Sequence, residues 1–489
     1  MKILFYCRGE ESLGVESLAA VLKQAGHSVD LLFDPGIDNT FYYQARFLRF
    51  LQNKDAFIEK AKRFSPDLLA FSSITNDYPY ISEMISKLKK ILKVPVIVGG
   101  VHATAVPEFV MEHPGVDMVC RGEGEEAFLE LVGRMSAGKD YYHTRNIWFK
   151  KEKGVIKKNI LRPLIKNLDT LPFPDKDLFY KYGCFKGILM EKSGRGCPFS
   201  CTYCHNCLDH KLYQGDLLYR RRSVDYLISL LSYYKKKYRI KSINFEEDLF
   251  VIDKEWLRKF SYYYAKEIAL PFYCFIHPNL LDKERASLLR KAGCEEAFVG
   301  VESGNKALRK QIMKRKTPKA KIRETVSLLK KNKIKILVSA VFGWPQETPE
   351  NMWETVKFCN QLSPNFVETF MLYPYPGTEV LNYCRKQGLV GSGELLNIYR
   401  GEGSNVGDMI FNHPHKNLAY VMAKLAPVYA QVPFFLKPLI KIFMHPYMKN
   451  GANLIYLFFL ILWYPRKSYL KLKQLILMTK KSYFNKYGA

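Results

Sequence analysis

The chain has 489 residues, 48% of them hydrophobic, and a net charge of +28. That length provides two to four domains with buried cores, and the apolar content excludes a disordered chain. The eleven cysteines are odd in number and mostly scattered, which argues against a disulfide framework and for reduced thiols or metal ligands in a cytoplasm.

Met1-Lys2 leads into a short apolar run, Ile3 to Cys7, before Arg8, Glu10 and Glu11; this reads as a strand rather than a signal peptide. Val15 to Ala25 has helical spacing and ends at Gly26, and Val29 to Phe33 is a second strand. Further strands are expected at 68–72, 96–98 and 116–120, with helices over about 81–92 and 125–135. Residues 1–140 therefore predict an α/β unit built on a doubly wound parallel sheet. Such sheets bind ligands where loops leave the C-terminal strand ends. Ser72-Ser73-Ile74-Thr75 and Gly99-Gly100-Val101-His102 are two such loops, small and polar enough for a large flat ligand to approach the backbone. Gly122-Glu123-Gly124-Glu125-Glu126-Ala127 imitates a dinucleotide fingerprint. It follows the last predicted strand instead of the first, and its acids would repel a pyrophosphate, so that reading is rejected.

Residues 141–185 read as a connector ending in Leu171-Pro-Phe-Pro174. From 186 to 385, strands at 242–245, 272–275, 297–300, 336–339 and 367–371 alternate with helical stretches. This predicts a partial or full parallel barrel with a cysteine loop after its first strand. In that loop Cys197, Cys201 and Cys204 lie within eight residues. Three thiolates can hold three corners of an iron–sulfur cube and leave the fourth iron open. The spacing alone also admits zinc, with Cys207, His205 or His210 completing a tetrahedron, or a redox pair.

Residues 386–489 predict a helical, basic, apolar C-terminal region. From Met409 onward there is no Asp or Glu, but twelve Lys or Arg, among them Lys437, Lys441, Lys449, Arg466, Lys467, Lys471, Lys473, Lys480 and Lys481. Leu454 to Tyr464 is apolar throughout and closed by Pro465. As a helix it reaches about 17 Å, short of the roughly 30 Å of a bilayer core. Lysines beside bulky apolar residues predict a segment lying at an anionic membrane surface, with a helical cap on the protein body as the alternative. The expected location is cytoplasmic and peripheral at the inner face of the membrane.

In this order, the motifs resemble those of the radical S-adenosylmethionine (SAM) enzymes. The branch resembled carries an N-terminal cobalamin-binding domain and includes the oxygen-independent Mg-protoporphyrin ester cyclases and the cobalamin-dependent carbon methyltransferases. The resemblance spans about residues 1–385. It places the C-x-x-x-C-x-x-C motif at Cys197, Cys201 and Cys204, implying a [4Fe–4S] cluster whose open iron is chelated by SAM. Tyr203 holds the aromatic position. Phe245-Glu246-Glu247-Asp248-Leu249-Phe250 is similar to F-x-D-D-x-F, and Glu247 and Asp248 are implied SAM contacts. Gly300-Val301-Glu302-Ser303-Gly304 looks like G-x-E-S-G, which implies that Glu302 and Ser303 meet the SAM ribose or carboxylate. Gly343-Trp-Pro-Gln-Glu347-Thr348 and Tyr375-Pro-Gly-Thr378 match family turns that read as fold-defining. His277 departs from a common Arg, and Asn332-Lys333 from a common Gly.

For cobalamin the resemblance implies Ser72, Ser73, Gly99, Gly100, His102, Gly122 and Glu123. The D-x-H-x-x-G motif that supplies a histidine to cobalt elsewhere is absent, and His102 is more simply a histidine donating to backbone. The implied chemistry is one-electron cleavage of SAM to a 5′-deoxyadenosyl radical, hydrogen abstraction from an unactivated C–H bond, and methyl transfer from cobalamin. The expected partners are a small or lipid-like substrate and a one-electron donor such as flavodoxin or ferredoxin. A non-methylating radical enzyme and a cofactor sensor are the competing readings. An RNA methylthiotransferase is disfavoured because only Cys7 and Cys120 precede Cys184.

Overall fold

The structure is a computed structural model that describes residues 1–37, 52–185, 187–463 and 474–484. Arg466, Lys467, Lys471, Lys473 and the Tyr464-Pro465 end of the apolar run lie outside the described residues.

β1 (Lys2–Arg8) sends Ile3, Phe5 and Cys7 into one apolar cluster and Leu4 and Tyr6 into another. Side chains of a strand alternate between faces, so a run that is apolar at every position requires cover on both sides. β2 (Ser28–Asp34), β3 (Leu68–Ser72), β4 (Val96–Gly99) and β5 (Met118–Cys120) complete a parallel sheet in the order β2-β1-β3-β4-β5. The chain leaves β1 toward opposite edges of the sheet, and the crevice between β1 and β3 is where such sheets bind ligands. The expected helices are Leu13–Gln24, Tyr78–Lys89 and Glu125–Ser136. The first opens on Ser12, whose side chain accepts from the Val15 N–H. The helix Lys54–Phe64 was not expected; it buries only Phe57 and Ala61, too little for a clear apolar stripe.

The stretch expected to be a connector adds β6 (Ile147–Lys150) and β7 (Ile156–Lys157), which extend the first sheet antiparallel from β5. Ile147, Trp148 and Phe149 are buried there. The strand signal was present but short and set among charges.

The second sheet is parallel, in the order β15-β14-β13-β12-β11-β8. Its strands are β8 (Ile188–Glu191), β11 (Ser242–Phe245), β12 (Phe272–Ile276), β13 (Cys294–Glu302), β14 (Lys335–Phe342) and β15 (Phe366–Met371). Between β8 and β11 the short strands β9 (Gly194–Arg195) and β10 (Arg220–Arg221) pair antiparallel and flank the cysteine loop. Helices separate the long strands, so the sheet is an open six-stranded βα array.

Beyond β15 the chain is helical. Lys416–Gln431 packs along β15 and is buried over most of its length, despite Pro427 inside it. A proline has no N–H to give the carbonyl four residues earlier, here that of Ala423. The Thr369 hydroxyl of β15 donates to that carbonyl instead. The last described segment returns to the first sheet, where the Tyr483 hydroxyl donates to Asp34 Oδ1 at 2.6 Å.

Thr369→Val keeps the shape and removes this donor. The buried Ala423 carbonyl then lacks a partner, and stability should fall by about 1–3 kcal/mol. A thermal midpoint equal to that of the parent chain would refute this account of the proline.

Candidate active site between the two sheets

The cysteine loop leaves the β9–β10 region and is pinned from below. Thr202 Oγ1 donates to the Ile312 carbonyl at 2.7 Å, and the Thr202 N–H donates to Met313 at 3.2 Å. The Val380 N–H donates to the Thr202 carbonyl at 2.9 Å. Cys197 and Cys201 are buried and Cys204 is half-buried. The zinc set considered from sequence does not assemble. His210 Nε2 lies 3.1 Å from the Cys197 carbonyl, and Cys207 is buried with its Sγ directed at the Thr202 carbonyl. His205 pairs with Asp209 on its own helix. Among the described residues no three His, Cys, Asp or Glu side chains converge on one metal ion. The donor chemistry of three thiols on one pinned loop does suit a cube, whose irons each take one sulfur. Burial pushes the Cys197 and Cys204 thiols up to about 12, so ligation there must displace their protons.

The two acids after β11 have different fates. Glu247 is buried; it accepts from the Ser193 N–H at 2.5 Å, from the Ser193 hydroxyl, and from Arg221 Nη2 at 2.7 Å. It is a strut of the hairpin. Asp248 is exposed and accepts from Asn206 Nδ2 at 3.0 Å. The same Asn206 amide lies 3.3 Å from Cys204 Sγ, which joins Asp248 to the cysteine loop. Asp248 is thus the more accessible of the two carboxylates. Glu302, at the end of β13, has φ of +65° and sits with Arg315, Tyr203 and Ser339. Burial raises its carboxyl, and Arg315 opposes that rise. Arg315 Nη2 also donates to the Gly300 carbonyl at 2.9 Å. Tyr203 packs edge-on against Trp344, with ring centres 5.1 Å apart. Ser303 is fully buried; its hydroxyl lies 3.2 Å from Thr355 Oγ1 and accepts from the Asn305 N–H. It shapes the turn rather than facing the cleft.

At the C-terminal ends of β1, β3, β4 and β5 there is a cavity of about 280 Å³. Ser72, Gly99, Gly100, Gly122 and Glu123 line it from the first sheet, Glu191 and Lys192 from the end of β8, and Arg195 from β9. Gly100 has φ of +96°, and a Cβ there would fall 2.6 Å from the Ser73 carbonyl oxygen. Only glycine fits at this point of the rim, because of the close approach of the Ser73 backbone and the positive φ. Ser73 and His102 stand behind this rim. His102 is buried against Tyr78, its Nδ1 is 3.2 Å from Thr75 Oγ1, and burial lowers it to about 3. Its position against Thr75 and Tyr78 makes it a neutral packing residue.

Four side chains unremarked in the sequence organise this cleft: Arg195, Arg220, Arg221 and Asn206. Arg195 donates to Glu123 at 3.0 Å and to Glu125 at 2.6 Å, and Arg220 donates to Glu123 at 2.9 Å. Glu125 is buried, yet the Arg195 pairing overcomes desolvation and holds it down at about 2. The Glu123-x-Glu125 and Arg220-Arg221-Arg222 runs were signals, but nothing local joined them. Glu123 is thereby committed to arginines rather than open to a ligand.

The family turns prove structural. The carboxyl of Glu347 is buried and accepts from the N–H groups of Gly343 at 2.6 Å and Trp344 at 3.1 Å. Tyr375 donates from its hydroxyl to Asn76 Oδ1 of the first domain at 3.0 Å. His277 stacks on Phe199 of the cysteine loop, with ring centres 4.1 Å apart. Lys333 adopts φ of +56°, the conformation for which glycine is the easier residue.

Two sequence profiles match the chain: the B12 binding domain over residues 10–132 and the radical SAM superfamily over 192–359. An uncharacterized methyltransferase of Pyrococcus horikoshii is 30% identical over 387 residues, which cover 77% of this chain and 79% of that protein. The anaerobic magnesium-protoporphyrin IX monomethyl ester cyclase of Rubrivivax gelatinosus is 24% identical over 75% of this chain and 65% of its own. The fold is similar to that of the radical SAM methyltransferase TsrM of Kitasatospora setae, solved with cobalamin and a [4Fe–4S] cluster. That likeness has a TM-score of 0.64 at 17% identity and covers 79% of this chain and 78% of that one. OxsB, solved with aqua-cobalamin and SAM, gives a TM-score of 0.67 at 16% identity, covering 98% of this chain and 75% of that one.

Asp248→Asn should weaken SAM binding by about 1.5–3 kcal/mol, the value of a hydrogen bond to a charged group, with the iron content unchanged. Glu247→Gln should instead lower the thermal midpoint, because Arg221 loses its buried partner. Equal SAM affinity in the parent and Asp248→Asn would overturn this division. Burial pushes the Glu347 carboxyl from its ordinary 4.5 up to about 8. A carboxyl raised in the folded state contributes stability fully present below about pH 4.5 and lost as pH rises through about 8. Glu347→Gln should flatten that decline, and an unchanged stability profile over this window would contradict it.

Proposed function

The chain belongs to the radical SAM superfamily, in the branch with an N-terminal B12 binding domain, and we propose that it is a C-methyltransferase acting on an unactivated carbon of an apolar or lipid-like substrate. The observation that carries this reading is that one hairpin joins the two sites: Gly194 and Arg195 of β9 line the cavity beside the glycine rim. Cys197, the first cysteine of the loop, follows Arg195 by two residues. Bound there, a [4Fe–4S] cluster, SAM and cobalamin would supply the reducing electron, the deoxyadenosyl radical and the transferable methyl group.

Cys197, Cys201 and Cys204 would hold the cluster. Asp248 would accept hydrogen bonds from the SAM ammonium, and Glu302, ordered by Arg315 and Tyr203, would face the rest of that molecule. Ser72, Gly99, Gly100 and Gly122 would support the corrin. The arginine–glutamate pairs hold these surfaces in register. A flavodoxin- or ferredoxin-type protein is the proposed electron donor. The apolar substrate class is favoured by the apolar C-terminal surface.

The test is anaerobic reconstitution followed by product analysis with methyl-labelled SAM. Methyl transfer to a radical carbon should yield S-adenosylhomocysteine together with 5′-deoxyadenosine, and the label should pass into the organic extract of cell lipids. 5′-Deoxyadenosine alone would assign a non-methylating radical reaction. Label confined to the aqueous phase would sink the substrate class.

A further inference from the structure

The C-terminal region is built in layers. The helix Lys416–Gln431 covers β15, and the helices Lys437–Phe443 and Lys449–Trp463 pack on the far side of it. The inner side of Lys449–Trp463 is ordinary core: Ala452 and Phe459 are buried, and Asn453 accepts from the Tyr420 hydroxyl at 2.8 Å. Its outer side carries Leu454, Leu457, Phe458 and Leu462, three and four residues apart and 53–71% exposed. The shorter helix repeats the arrangement with Leu439 and Ile442 outward. The turn before it presents Phe434 at 83% exposure and Phe435 at 65%, and Tyr447 is 92% exposed. A folded chain rarely leaves so many large apolar side chains in water on one layer without a partner for them.

The charges choose the partner. Lys441 is exposed at the edge of this face, Lys437 reaches Asn360 Oδ1 at 2.6 Å, and Lys449 pairs with Asp408. Asp408 is the last acid in the sequence, and Lys449 pairs with it, so it adds no net negative charge at this edge. No helix among the described residues is long and apolar enough to cross a membrane. A face with outward phenylalanines and leucines, flanking lysines and no acids from 409 onward matches the interface of an anionic bilayer better than a protein groove, which would offer carboxylates or apolar pockets at fixed places. We propose that this outer layer is a docking surface for anionic phospholipid membranes, with Phe434, Phe435 and Phe458 entering the headgroup–acyl boundary. The proposal rests on surface geometry and stands apart from the reaction assigned above.

The experiment is flotation of the full-length, anaerobically purified protein with vesicles of phosphatidylcholine alone or with phosphatidylglycerol. The protein should float with the mixed vesicles, less so as salt is raised, and hardly at all with the neutral ones. Phe434→Ser combined with Phe435→Ser should reduce partitioning by about tenfold or more, since withdrawing even one such ring from water has at least that weight. Both residues are exposed, so the variant should keep the parent's thermal midpoint. Lys441→Glu should lower binding to the anionic vesicles alone. Failure to float with phosphatidylglycerol vesicles would overturn the proposal. So would equal binding by the double variant, or a concentration-dependent dimer that this variant abolishes, because the face would then serve a second copy of the chain.

Discussion

The cleft depends on one short hairpin and the ion pairs on its two sides. β9 and β10 place Arg195 opposite Arg220 and Gly194 opposite Arg221. Successive residues of a strand point to opposite faces, so Arg220 turns to Glu123 of the first domain while Arg221 turns to Glu247 of the second. Arg195 adds Glu125, and Arg222 reaches Glu191 at the end of β8. These carboxylates and guanidinium groups are largely buried. Such pairs add little stability against an apolar alternative, but breaking one leaves a charge stranded at a cost of about 3–5 kcal/mol. Their role is therefore register. They set where the cysteine loop, two residues beyond Arg195, stands relative to the glycine rim.

This constraint explains why acids that look equivalent in the sequence are not. Glu247 and Asp248 are neighbours in the bend after β11, where one is buried against the hairpin and the other is exposed. Glu123 and Glu125 lie beside the cavity, yet Arg195 and Arg220 neutralise them, which removes the repulsion they would exert on a ligand carrying phosphate. Glu302 and Ser303 divide in the same way, with the carboxylate near Tyr203 and Arg315 and the hydroxyl tied into a buried turn. In the Glu247–Asp248 pair one member holds the hairpin and the other is exposed, whereas Glu123 and Glu125 are both held by arginines.

The C-terminal region follows a separate logic. Its inner helix is bound to β15 so closely that even a proline is accommodated, through the Thr369 hydroxyl. Its outer helices share one face with that core and leave the other in water. Of the two readings of such a tail, the cap on the body is the one the inner helix meets. The layer that touches the sheet is a cap, and the layer outside it carries the exposed aromatic and leucine residues.

Much of this protein was legible along the chain. Strands apolar at every position announced parallel sheets covered on both faces, and the cysteine spacing with its ordered companion motifs announced the family, because these signals are local or recur at fixed intervals. The antiparallel β6 and β7, the helix Lys54–Phe64 and the burial of His102 were not legible, since short or charged segments take their structure from what they pack against. Pairings such as Glu123 with Arg220, 97 residues apart, were likewise invisible. A charge specifies its partner only through distance in space, and that distance exists only after the two sheets have met.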